Sequence, residues 1–140
     1  MNTTKTYEAT PAPKYSPWGL INNVCYIAPG IHIVDTPSHG GAILSEERAA
    51  DIPPSLIPWT DSYTAWEEDA DMIVPALVFF EEFVAAPSFA FFNRPQELLN
   101  VASMAIRYRK DDVDLLRQLI RTIAKRHGLT TPADCVAAAA

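Results

Sequence analysis

Val24-Cys25-Tyr26-Ile27-Ala28-Pro29-Gly30-Ile31-His32-Ile33-Val34 is the stretch on which the fold turns. Two runs of β-branched, aromatic and other apolar residues flank a Pro-Gly pair that presets turn dihedrals, so the segment predicts a β-hairpin. Downstream, Thr36-Pro37-Ser38-His39-Gly40-Gly41 leads into a shorter apolar run, Ala42-Ile43-Leu44, placed to return as a third strand. Upstream, residues 1–15 are polar and interrupted by Pro11 and Pro13, which reads as a mobile arm that orders only at Ser16-Pro17-Trp18-Gly19.

Beyond the strands the pattern turns helical. Ser45 before Glu46-Glu47 has the form of an N-cap with acids in the first turn, opening a short helix that stops before Pro53-Pro54. The proline-rich segment from Ile52 to Tyr63 then reads as an irregular loop packed by Leu56, Ile57 and Trp59. Met72 to Val84 is almost continuously apolar and long enough for a buried helix, with Asp69 or Asp71 as its cap and Pro75 tolerable only near the first turn. Pro87 ends it, and Ser88 to Phe92 forms an aromatic patch of either state.

Two further helices carry clearer signals. One is capped by Asn93, with Pro95 near its start and Leu98, Val101, Ala102, Ala105 and Ile106 on one face. The other begins at Asp111 or Asp112, repeats Val113, Leu116, Ile120, Ile123 and Ala124 at helical spacing, and ends at Gly128. The expected fold is α+β: a small antiparallel sheet of two or three strands packed against about three α-helices. Residues 16–128 form the single domain, and residues 129–140 a frayed tail.

Size and composition fit that organisation, because 140 residues with 49% apolar content suffice for one core. Two cysteines, Cys25 and Cys135, give no disulfide framework, the N-terminus has no apolar signal region, and no apolar run reaches membrane-spanning length. A cytoplasmic protein is therefore expected. The net charge of -6 is unevenly distributed. Residues 45–97 carry eleven acids against Arg48 and Arg94, whereas from residue 98 onward seven bases face four acids. An acidic middle argues against general affinity for nucleic acid.

Ser16-Pro17-Trp18-Gly19, Ile27-Ala28-Pro29-Gly30-Ile31, Thr36-Pro37-Ser38-His39-Gly40-Gly41 with Leu44-Ser45, and Glu67-Glu68-Asp69 together resemble an uncharacterised domain family of phage- and plasmid-borne bacterial proteins. The resemblance covers roughly residues 16–84. It implies a mobile-element setting, in which small accessory proteins inhibit host defences by binding them.

The residues themselves offer three kinds of chemistry. In Thr36 to Gly41, two glycines beside an imidazole and a hydroxyl suit an active-site loop, but Ser38 and His39 are adjacent and seldom face each other on extended backbone. An enzyme of hydrolase or transferase type would use His39 with Glu67, Glu68 or Asp69, the catalytic set being His39, Ser38 and Glu68. The plainer alternative is a tight turn with His39 bonded to the acidic segment. His32, His39 and the Glu67 to Asp71 cluster lack HxH, HExxH or CxxC spacing, so neither a metal nor another cofactor is expected.

Arg117, Arg121 and Lys125, at four-residue spacing, suit phosphate contact, although cations near a helix C-terminus are also expected as a solvated face. Glu67, Glu68, Asp69, Asp71, Trp66 and Trp59 are the candidate partner-binding residues, since aromatics supply contact area and carboxylates attract cations. The leading expectation is a non-enzymatic accessory protein whose acidic and aromatic surface occupies a basic, nucleic-acid-binding host protein, with a CRISPR or restriction component as the candidate. A homodimer is compatible with the aromatic excess.

Overall fold

The computed structural model describes residues 5–86 and 93–136. Its centre is a four-stranded antiparallel sheet built from β3 (Asn23–Ala28), β4 (Ile31–Asp35), β5 (Gly40–Leu44) and β6 (Ala65–Glu67), in that spatial order. A separate two-stranded hairpin, β1 (Tyr15–Ser16) and β2 (Gly19–Leu20), precedes it. The predicted hairpin forms around Pro29-Gly30, with Val24 opposite Val34 and Cys25 opposite Ile33, and Gly30 takes the positive φ of 82° that the turn needs.

The sheet is larger than the sequence reading allowed. Its fourth strand, β6, pairs with β5 through Ala42 and Trp66, yet spans only three residues and ends in the acidic run, so no alternating pattern marks it.

Five α-helices lie among the described residues. They are α1 (Glu46–Ala49), α2 (Ile73–Val78), α3 (Phe80–Ala85), α4 (Pro95–Ala105) and α5 (Val113–His127). Ser45 caps α1 by accepting from the Arg48 N–H, as its position implied. The apolar run from Met72 is broken into α2 and α3 at Phe79, whose φ of -112° and ψ of 44° are not helical. Pro75 falls in the first turn of α2, where its missing N–H costs no helical bond. Neither Asp69 nor Asp71 caps α2; the Asp71 carboxylate is engaged elsewhere, and Met72 is the residue before the helix.

Arg94, rather than Asn93, precedes α4. Asp112 caps α5 by accepting from Leu115 N–H, and Gly128 closes it in the left-handed region. The aromatic patch from Ser88 to Phe92, and the proline before it, lie outside the described residues.

One core joins sheet and helices. Ile31, Ile33, Ala42, Leu44 and Trp66 from the strands meet Val74, Leu77, Phe80 and Phe83 from α2 and α3, Leu98, Leu99 and Ala102 from α4, and Leu116, Ile120 and Ile123 from α5. Each large apolar side chain fully removed from water contributes roughly 1.5–3 kcal/mol, so α5 holds to the core through its buried stripe rather than through propensity alone.

Lys5 and Tyr7 before the sheet, and Leu129 and Cys135 after α5, make defined contacts. The Tyr7 ring lies 3.6 Å from the Arg48 guanidinium and packs edge-on against Phe79, while its hydroxyl donates to Asp51, which also pairs with Lys5 at 3.0 Å. Beyond α5, Leu129 packs on the core, and Cys135 is buried in a short 3-10 turn spanning Ala133–Cys135. Among the described residues no helix is long and apolar enough to cross a membrane.

Candidate functional site

The Thr36 to Gly41 segment is a turn between β4 and β5. Thr36 N–H donates to the His39 carbonyl at 2.9 Å, the Thr36 hydroxyl donates to the same oxygen, and His39 N–H returns a bond to that hydroxyl at 3.1 Å. The Ser38 hydroxyl donates to the Trp18 carbonyl at 3.3 Å. His39 Nδ1 lies 3.4 Å from the Glu67 carboxylate, with the His39 side chain 52% exposed. The Glu68 N–H donates to Gly40 O at 2.9 Å, and the Glu68 carboxylate lies beside Gly40.

His39 and a carboxylate thus do meet, but through Glu67, and Ser38 is tied to the N-terminal hairpin. The glycine pair answers to packing. A Cβ on Gly41 would stand 2.3 Å from the Trp66 carbonyl and 2.5 Å from the Trp18 ring, so only glycine lets β5 approach β6 and Trp18 this closely.

The partner-binding candidates are separated by the fold. Trp66 is 0% exposed, packs edge-on against Tyr63, and donates its indole N–H to the Tyr63 carbonyl at 2.8 Å, so it is a core residue. The expectation of a Trp66 contact surface is corrected by its position on β6, whose inner face it fills. Asp71 is buried as well, accepting from Trp59 N–H at 2.6 Å and pairing with Arg109 at 2.8 Å. Glu67 is half-buried beside His39 and Glu68 is exposed beside Gly40, and Trp59 and Asp69 are exposed as well.

Of the eleven acids between residues 45 and 97, five pair with Lys or Arg: Asp51, Asp71, Glu81, Glu82 and Glu97. Part of the negative charge of the middle third is therefore neutralised within the molecule, while Glu46, Glu47, Asp61, Glu67, Glu68 and Asp69 have no Lys or Arg partner among the described ion pairs.

The basic face of α5 is similarly engaged. Arg117 pairs with Asp114 at 3.1 Å, Arg121 donates to the Cys135 carbonyl at 3.0 Å, and Lys125 is exposed. Arg121 thereby ties α5 to the 3-10 turn that holds Cys135.

Two hollows lie on either side of Tyr108. One, of about 400 Å³, is bounded by Trp59, Asp61, Ala70, Tyr108 and Lys110 over a floor that includes Arg109. The second, of about 460 Å³, is bounded by Asp69, Ala70, Val101, Met104, Ala105 and Tyr108. Trp59 is 82% exposed, Tyr108 80% and Met104 59%, although taking such side chains out of water is favourable.

Arg109 fixes this region from beneath. Its nearly buried guanidinium pairs with Asp71 and Asp111 and donates to the carbonyls of Ile57, at 2.9 Å, and Ala70, at 3.1 Å. Burial alone would push Asp111 up; hydrogen bonds from Arg109 and from Ile57 N–H outweigh it and hold the carboxyl below its ordinary range. The loop bearing Trp59 and the segment bearing Asp69 are thus clamped to the end of α4.

Sequence reasoning missed Val101, Met104 and Tyr108 as a surface. It placed Val101 with the core stripe, but the core-facing residues are Leu98, Leu99, Ala102 and Ile106. Val101 and Met104 recur at i and i+3 on the outward side of α4, and Tyr108, in the 3-10 turn Ile106–Tyr108 that follows, extends this second apolar stripe. That spacing was present to be found, and was hidden because both stripes run together along α4 and the 3-10 turn that continues it.

Among the described residues no group of three or more His, Cys, Asp or Glu side chains is placed to hold a metal ion. Fold and surface together define a small α+β domain with an aromatic face clamped by a buried ion triad. The chain belongs to the family described as Domain of unknown function (DUF7007), whose model matches residues 11–114 and so takes in both the His39 turn and the Tyr108 face. No curated protein and no solved structure matches the chain.

Proposed function

We propose that this domain is a non-enzymatic binding protein that occupies another protein through the aromatic face around Trp59 and Tyr108. The observation that carries the reading is the exposure of these two large rings on a scaffold that Arg109 holds in place. Rigid aromatic anchors contribute much contact area at low entropic cost.

The partner we propose is a host protein with a basic, nucleic-acid-binding surface, a defence component such as a CRISPR or restriction protein in a mobile-element setting. The resemblance of the Trp18-Gly19, Thr36 to Gly41 and Glu67 to Asp69 segments to phage- and plasmid-borne proteins supports that setting. Exposed Asp61 and Asp69 beside the hollows support a cationic partner, though with less charge than the acidic middle of the chain suggested.

A hydrolase or transferase centred on His39 has one observation in its favour, the 3.4 Å approach of Glu67. The bond from Ser38 to the Trp18 carbonyl leaves that pair without the neighbouring nucleophile. Capture of host proteins by the immobilised domain, compared with its Trp59→Ala and His39→Ala variants, tests the proposal. Specific capture abolished by Trp59→Ala and kept by His39→Ala supports it; no specific capture, or loss only with His39→Ala, overturns it.

A further inference from the structure

Helix α4 is apolar on two sides, and only one of them is covered. Leu98, Leu99, Ala102 and Ile106 face the core, while Val101, Met104 and Tyr108 face outward. A helix that is apolar on opposite sides is stable in water when both sides are packed against something. The outward stripe runs from Val101 along α4 and through the 3-10 turn to Tyr108, about 12 Å at the usual rises, which matches some two turns of an opposing helix.

The charges around the stripe narrow the choice of partner. Four carboxylates, Asp61, Asp69, Asp71 and Asp111, stand against two cations, Arg109 and Lys110, in the walls of the adjoining hollows. Asp71 and Asp111 share Arg109 and keep one negative charge between them, and the exposed Asp61 and Asp69 outweigh the exposed Lys110 by one, so the rim stays acidic. A second copy of this chain brings a net charge of -6 and the same acidic rim, which makes self-pairing through this face electrostatically poor.

We infer that the face formed by Val101 and Met104 of α4 and by Tyr108 of the 3-10 turn that follows it is the docking site for a basic amphipathic helix of the partner. Its apolar stripe packs over Met104 and Tyr108, and its flanking Lys or Arg side chains reach Asp69 and Asp61. Helix-on-helix packing of this kind is read at i, i+3, i+4 and i+7 anchors. The inference rests on the binding reading above and specifies the surface and the partner's chemistry.

The test uses three 18-residue peptides titrated into the full chain labelled with nitrogen-15. One has a Leu stripe at helical spacing flanked by Lys, one has the same stripe flanked by Glu, and one is a scramble of the first. Amide shifts at Ala70, Val101, Met104 and Tyr108 that saturate only with the Lys-flanked helix, and an affinity at least tenfold weaker in the Met104→Ser and Tyr108→Ser variants at unchanged melting temperature, are the expected results. Equal binding of the scramble or the Glu-flanked peptide, shifts confined to another face, or dimerisation through α4 overturns the inference. Host-protein capture by the wild type that survives Met104→Ser but is abolished by Trp59→Ala and Tyr108→Ser discards the helix-docking stripe while leaving the binding reading standing. Absence of any specific capture discards the reading itself.

Discussion

Nη1 of Arg109 lies 2.8 Å from the Asp71 carboxylate, with both side chains buried, and the same carboxylate accepts from the backbone of Trp59. One guanidinium therefore ties the Trp59 loop, the acidic segment and the end of α4 together. Removing one member of a buried ion group strands the charges left behind, which costs about 3–5 kcal/mol. Arg109→Leu is expected to lower stability by that amount in urea unfolding, and Arg109→Lys to recover little, because an ammonium cannot reproduce the fork that meets both carboxylates.

The glycine pair of the β4–β5 turn gives a second prediction. With a Cβ at residue 41 only 2.3 Å from the Trp66 carbonyl, Gly41→Ala must push β5 away from β6. A loss of about 2 kcal/mol or more, in the range of overpacked interiors, is expected in thermal or urea unfolding. His39→Ala, at a half-exposed side chain whose nearest charge is Glu67, is expected to change stability by less than about 1 kcal/mol.

How far the sequence disclosed these features depends on how local their causes are. The Pro29-Gly30 hairpin, the Ser45 and Asp112 caps and the Gly128 stop are decided by residues within one turn of chain, and each is visible in the letters. The place of Trp66 is decided by pairing with β5, more than twenty residues away, so an indole that reads as a surface anchor is a core residue. The fate of the acids is similar. Asp71 finds Arg109, and Glu82 finds the buried Arg48 at 2.7 Å, through tertiary contacts that composition cannot foretell. The division of Met72 to Val84 into α2 and α3 at Phe79 likewise has no local breaker, since Pro75 sits where a helix tolerates it.

Tyr7 provides a spectroscopic check on the N-terminal segment. Its phenol is pushed up to about 12, first by burial and then by its hydrogen bond to the ionised Asp51. Of the five tyrosines, one is therefore expected to ionise last in an ultraviolet titration, and Tyr7→Phe should remove that late step. A phenol with a raised folded pKa lends stability that is complete below pH 10 and fades as pH rises toward 12, so the variant and wild type should converge at high pH.

Acid stability follows from Asp111. Its folded pKa is depressed, so its contribution is present above the ordinary value of 3.8 and is lost as pH falls through the lower folded value. Asp111→Asn is expected to be less stable than wild type at neutral pH. The gap should close below about pH 3.8, measured as the urea midpoint against pH. A gap that stays constant across that window would show that the Asp111 charge does not stabilise the fold.

The central claim is that the Tyr108 face, and not the His39 turn, engages the partner. Its most direct measurement is capture of a specific host protein by wild type, Tyr108→Ser and His39→Ala, each first shown by circular dichroism to be folded. The account predicts that Tyr108→Ser reduces retention at least tenfold, roughly 1.4 kcal/mol or more, while His39→Ala retains the partner as wild type does. Retention unchanged by Tyr108→Ser, or abolished by His39→Ala in a folded protein, would contradict it.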